Sequence, residues 1–139
     1  MKKALLEEIM CEHPVKVTDD VQIGAVAHLL LRYRINGILV VKKGEENKLV
    51  GILTTTDLLR LLDHALSNGK QRLKELKKIS ELPVGRIAAK KIITLAKHDK
   101  IVKAIAIMHK KNVHTLPIYD NGKLVGVVGR HDILNIALT

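Results

Sequence analysis

The sequence predicts an α/β (α+β) protein built from two β-α-β-β-α half-domains, and three observations carry that reading. The phrase "KLVGILTTTD" at 48 to 57 returns as "KLVGVVGRHD" at 123 to 132. Sliding the chain by 78 residues lays "IMCEHPVKV" (9 to 17) on "IAAKKIITL" (87 to 95) and "NGILVV" (36 to 41) on "HTLPIY" (114 to 119). Within each copy, apolar residues recur first at helical spacing and then in short β-rich runs.

The elements follow in order. An apolar strand is expected around Val15–Val17 and again around Ile92–Leu95. Ile23, Val26, Ala27 and Leu30, and then Ile101, Ala104, Ile105 and Met108, are i, i+3, i+4, i+7 sets that give one apolar helix face each. Two strands come next in each copy, "GILVV" with "KLVGIL" and "TLPIY" with "KLVGVV". Asn121-Gly122 predicts a tight hairpin, since both residues accept positive φ. "KKGEEN" stands where the second copy has the shorter "DNG", which reads as an insertion in a surface connection. A closing helix starts near Thr55 and near Arg130. One copy of about 55 residues would be marginal alone, so the sheets are expected to pack together with pseudo-two-fold symmetry.

The repeats are assigned to residues 1–65 and 86–139, with a basic linker at 66–85. Leu73, Leu76 and Ile79 predict a short amphipathic helix within it, ending at Ser80-Glu81-Leu82-Pro83 because the residue before Pro is driven out of the helical region.

Composition narrows the function. The chain has 139 residues, 47% of them hydrophobic, with no Trp or Phe, so Ile, Leu, Val and Ala must build the core. No apolar run reaches the ~20 residues of a membrane span, and the start lacks a signal peptide's apolar stretch, which predicts a cytoplasmic protein with no membrane partner. Cys11 is the one cysteine and cannot form an intrachain disulfide. Cys11 and His13 have no second ligand pair at metal-site spacing, so no metal is expected. No nucleophile has a base partner in a motif, and "GVVG" lacks the Lys-Ser/Thr of a phosphate loop; the chain reads as no enzyme. The net charge is +10, and between Leu66 and Lys111 thirteen Lys or Arg face three acids. That stretch is either a solvated lysine-rich surface or an anion-binding face.

A strand running into Thr-x-x-Asp at a helix start suits an anion, because the helix N-terminus presents unpaired N–H groups. Thr54 can give a phosphate its hydroxyl, and Asp57 offers acceptors for ribose hydroxyls. The plain alternative is that Thr55 or Thr56 caps the helix and Asp57 favours its first turn.

"IITL", "HTLPIYDNGKLVG" and "GILTTTDLL", present in two copies over nearly the whole chain, resemble the CBS domain named from cystathionine β-synthase, and the tandem resembles a CBS pair or Bateman module. The resemblance implies a non-catalytic regulatory module whose two repeats bind an adenosine-containing ligand (AMP, ADP, ATP or S-adenosylmethionine), with no cofactor proper. It implies one cleft joining Thr54, Thr56 and Asp57 to Ile93, Thr94, His114, Thr115, Leu116 and Pro117. Asp57 would hold ribose, the threonines phosphate, and Ile93 and Leu116 the adenine, with His114 at the mouth. A second cleft would join Gly129, Arg130, His131 and Asp132 to Val15, Lys16, Gly37, Ile38 and Leu39. Here Gly129 and Lys16 replace family threonines and Leu39 replaces the proline, so the site is either degenerate or retuned by Arg130 and Lys16 toward a more phosphorylated ligand. A homodimer is implied as well, through helices 58 to 62 and 133 to 138, together with a regulated protein partner. The rival reading is a nucleic-acid-binding protein using residues 66–111, against which stands the lack of aromatics among the lysines.

Overall fold

A computed structural model describes residues 4–67 and 72–139, with the backbone alone at 72 and 73. Contacts gather the chain into two compact units: Val15–Ile92, and Ile93–Thr139 together with the described part of Met1–Pro14.

The first unit runs β1 (Lys16–Thr18), α1 (Ile23–Tyr33), β2 (Gly37–Lys42), β3 (Glu45–Thr54), α2 (Thr55–Ser67), α3 (Arg72–Glu81) and a 3-10 turn at Val84–Arg86. Its sheet has the order β1-β2-β3, with β1 parallel to β2 and β3 antiparallel. The apolar stripe of α1 (Ile23, Val26, Leu30) packs on Ile38, Val40 and Leu53, as the helical spacing requires. The second unit repeats the order with β4 (Leu95–Ala96), α4 (Ile101–Lys111), β5 (Thr115–Asp120), β6 (Lys123–Gly129) and α5 (Arg130–Leu138). Ile101 and Ala104 of α4 pack there on Leu95, Leu116, Ile118, Val128 and Ile133. Asn121 and Gly122 have φ of 50° and 78°, the tight turn their sequence demands.

Four particulars differ from the sequence reading. The strand expected around Ile92–Leu95 is confined to Leu95–Ala96. In the first unit the Leu39 N–H reaches the Val15 carbonyl at 3.4 Å; the residue that repeats Leu39 is Pro117, which has no N–H to give to Ile93, so that rung is lost. The insertion does not lengthen the hairpin turn. Val41 pairs with Leu49 and Lys42 with Glu45, so the added residues bulge out of β3 beyond a turn at Lys43-Gly44. The linker stretch is a structural part of the first unit: α3 lies against α1 and α2, and Val84 is fully buried in that core. Leu73, expected on the apolar face of α3, has its side chain outside the described residues.

The fourth concerns the start of the chain, which builds the second unit. A 3-10 turn at Leu6–Glu8 places Leu6, fully buried, in the second core. The Leu6 N–H donates to the Asp99 carbonyl at 2.9 Å, and Cys11 and Val127 exchange both backbone hydrogen bonds at 2.9 and 3.1 Å. Seventy-eight residues on, the same contacts recur within the first unit, where Val84 takes the place of Leu6 and Ala89 exchanges bonds of 2.9 and 3.1 Å with Ile52. This explains the repeated glycine of "KLVG". A Cβ at Gly51 would stand 2.7 Å from the Ala89 carbonyl oxygen, and one at Gly126 2.8 Å from that of Cys11. A passing backbone occupies the space any side chain would need.

Candidate functional site

In the first unit the end of β3 and the start of α2 are locked by a reciprocal pair. The Thr54 N–H donates to Asp57 Oδ2 at 2.9 Å, and the Asp57 N–H donates to Thr54 Oγ1 at 3.1 Å. This is a capping box with Thr54 as N-cap, which moves the cap from the expected Thr55 or Thr56. It fixes the Asp57 carboxylate at the mouth of the helix, its side chain 21% exposed, with Oδ1 3.5 Å from Arg60 Nη1. Arg60 was absent from the residues singled out in the sequence. Its signal was the i, i+3 spacing from Asp57 on one helix face.

The second unit keeps half of this arrangement. The Gly129 N–H donates to Asp132 Oδ2 at 2.7 Å. Gly129 has no hydroxyl to return the bond, and Asn135 stands where the first copy has Arg60. Arg130, His131 and Asp132 are all exposed, and His131, Asp132, Leu134 and Asn135 line a shallow depression open to solvent.

Each unit also brings the start of its second strand to the start of its closing helix. Gly37 pairs with Thr54, and the Thr55 N–H donates to the Asn36 carbonyl at 2.8 Å. Likewise Thr115 pairs with Gly129, and the Arg130 N–H donates to the His114 carbonyl at 3.1 Å. So His114 and Thr115 of the first expected set lie beside Gly129, Arg130 and His131 of the second, while Thr54 lies beside Gly37. Two of the expected side chains are committed elsewhere. Ile38 and Leu116 are fully buried in the cores of their units, so only their backbone can meet a ligand. Leu39 and Pro117 are buried too. Val15, Lys16 and Ile93 are half-buried, and Thr56, Thr94 and His114 are exposed.

Chemically, each helix start sets a fixed carboxylate in its first turn, at the positive end of the helix dipole, an arrangement for an anionic group beside a diol. Among the described residues no group of three His, Cys, Asp or Glu side chains could hold a metal ion, and no helix is long and apolar enough to cross a membrane.

Two copies of one β-α-β-β-α unit, each closing on a helix whose third residue is an aspartate bound back to the preceding strand, define a tandem α/β repeat protein. Its family is shown by sequence: the CBS domain model matches residues 6–64 and again 74–138, and the chain belongs to that family. Inosine-5'-monophosphate dehydrogenase of Bacillus subtilis (strain 168) is 30% identical over 122 residues, covering 87% of this chain; the chain spans 22% of that enzyme's length. The CBS domain pair of protein MJ0100, solved with 5'-methylthioadenosine and S-adenosyl-L-methionine, superposes with a TM-score of 0.76 at 23% identity over 96% of this chain and 95% of the other. CBSX2, solved with AMP, superposes with a TM-score of 0.76 at 21% identity over 96% of each chain. At these identities the structural likeness is one of fold.

Proposed function

We propose that this chain is a regulatory module that binds an adenosine-containing ligand, AMP, ADP, ATP or S-adenosylmethionine, with Asp57 as the ribose acceptor. The observation that carries the reading is the capping box, which holds the Asp57 carboxylate in the first turn of α2, at the positive end of its dipole. The ligand is held jointly by Thr54, Thr56 and Asp57 of the first repeat and the backbone near Ile93, Thr115 and Leu116 of the second, with His114 toward the phosphates. Adenosine ligands in the MJ0100 pair and in CBSX2 support the ligand class. Regulation follows if the ligand favours one arrangement of the repeats over another, since only differential binding shifts an equilibrium. Two copies associate through the outer faces of α2 and α5, where Leu59 is 67%, Leu134 50% and Leu138 78% exposed.

Titration calorimetry with AMP, ADP, ATP and S-adenosylmethionine tests the reading on wild type, Asp57→Asn and Asp132→Asn. Asparagine still accepts the backbone bond, so the helix start survives while the charge goes. The expected result is a loss of about tenfold or more in affinity for Asp57→Asn. Equal affinity in that variant, or no binding by wild type, contradicts the proposal.

A further inference from the structure

The segments that precede the two sheets do the same structural work with opposite charge. Leu6 and Val84 fill equivalent places in the two cores, and Cys11 and Ala89 each exchange two backbone hydrogen bonds with the last strand of their sheet. Residues 6–13 read "LEEIMCEH", with three Glu and no Lys or Arg, whereas 84–91 read "VGRIAAKK", with three Lys or Arg and no acid. At two positions the inversion is residue for residue: Glu8 repeats as Arg86 and Glu12 as Lys90. These four are exposed, and so is Lys91, while Glu7 is half-buried and meets His98 at 3.4 Å. The Lys90 ammonium donates to the Gly85 carbonyl, which draws it back to the turn that carries Arg86. Among the described residues Glu8, Glu12, Arg86, Lys90 and Lys91 form no ion pair. One backbone geometry carries either sign here, so packing in the unit demands neither.

We propose that these segments are the two halves of a contact between copies of this chain, the basic segment of one copy lying on the acidic segment of another. The partner is a second copy because the complementary charge sits on the equivalent segment of the same fold at the same spacing, Glu8 to Glu12 and Arg86 to Lys90. The backbone bonds at Cys11 and Ala89 hold both segments to their sheets, so the charges are presented without first ordering a loose chain. The net charge of +10 opposes association. At physiological salt that repulsion is screened within ~8 Å, so the segments that face each other decide. A nucleic acid would engage the basic segment alone, and 84–91 hold no aromatic residue on which bases could stack. The contact uses neither α2 nor α5, so it is additional to the self-association above, and it needs no bound ligand. Exposed ion pairs are individually weak and screened by salt, so the association is weak and reversed by salt.

Sedimentation equilibrium at about 0.05 M and about 0.5 M salt tests the contact. The average mass of the wild type should rise as the salt falls, with association about tenfold stronger at the lower concentration. The triple variant Arg86→Glu, Lys90→Glu, Lys91→Glu leaves both segments acidic, and Glu7→Lys, Glu8→Lys, Glu12→Lys leaves both basic. Each variant alone should lose the salt-dependent step. An equimolar mixture of the two should recover it to within about twofold of the wild type, since acidic then meets basic at every contact. Lys74→Glu, Lys77→Glu, Lys78→Glu makes the same change of net charge on α3 and should leave the step in place, as should Leu134→Glu on α5. A wild-type mass independent of salt overturns the proposal, as does a mixture that stays unassociated while melting curves show both variants folded. Loss of the step in only one of the two triple variants, or in the α3 variant as well, also overturns it, because the charge would then serve another partner or act only through the net total.

Discussion

The starts of α2 and α5 answer one design in two ways. Thr54 and Asp57 exchange bonds in both directions, whereas Gly129 and Asp132 share only one. Both copies keep the aspartate, and in both it closes the helix start. Its recurrence therefore has a structural cause, and the functional information lies in what surrounds it: hydroxyls and Arg60 in the first unit, Arg130, His131 and an unsubstituted glycine in the second.

The likeness of the two units can be broken most forcefully at the segments that precede each sheet. Leu6→Ala removes a fully buried side chain from the second core and should cost about 2–5 kcal/mol, with Val84→Ala costing less in the first. Hydrogen exchange should show Leu6→Ala loosening β4, β5 and β6 while β1 to β3 stay protected; loosening of β1 to β3 instead would contradict the placement of the chain start. Next comes Gly51→Val, which drives a side chain into the Ala89 carbonyl and should cost about 1–3 kcal/mol in a denaturant titration. Gly126→Val should cost about as much, because a Cβ there would stand 2.8 Å from the Cys11 carbonyl oxygen, and Gly129→Val least, with nothing nearer than 3.5 Å. Thr54→Ala sharpens the contrast at the helix starts. It should lose about 1 kcal/mol by turning the two-way box into the one-way form of the second unit, and Gly129→Thr should recover part of that amount in the second.

The smallest effects are electrostatic and opposite in sign. In the second unit Lys97 hydrogen-bonds Asp120 at 3.0 Å, and this pairing raises the lysine above its ordinary value of 10.5. Its contribution is full below that value and fades as the pH climbs through the raised one. In the first unit the Thr18 hydroxyl, and then Lys43, hold Asp20 below its ordinary 3.8. That contribution is full above 3.8 and fades as the pH falls through the lowered value. Asp20 is exposed and Lys97 half-buried with its charge in reach of solvent, so a pH-resolved melting series on Lys97→Met and Asp20→Asn should show only slight changes, at the alkaline end for the first and the acid end for the second.

Much of the fold was legible because its signals are local. The i, i+3, i+4, i+7 sets placed α1 and α4, Asn121-Gly122 placed a turn, and Pro83 marked the end of α3. Pro117 carried the shortness of β4 in plain view, since a missing donor shortens a ladder whatever its neighbours. What stayed hidden was long-range. Nothing in "LEEIM" says that Leu6 belongs to the sheet built after residue 93, because burial there depends on which surface is free after folding. The glycines of "KLVG" looked like part of a strand phrase and prove to be clearance for a second backbone. At the candidate site, Asp57 and Thr54 were visible as a spacing, but the sequence could not show that Leu116 and Ile38 spend their side chains on the core, nor that Arg60 would reach Asp57.

The most direct measurement of the ribose-side role of Asp57 is calorimetry of the wild type with AMP and ATP, set beside Asp57→Asn and Asp132→Asn at one salt concentration. Binding should be weakened about tenfold or more by Asp57→Asn and left largely in place by Asp132→Asn, with melting curves showing both variants folded. Full-strength binding in Asp57→Asn, or its loss in Asp132→Asn alone, would contradict that role.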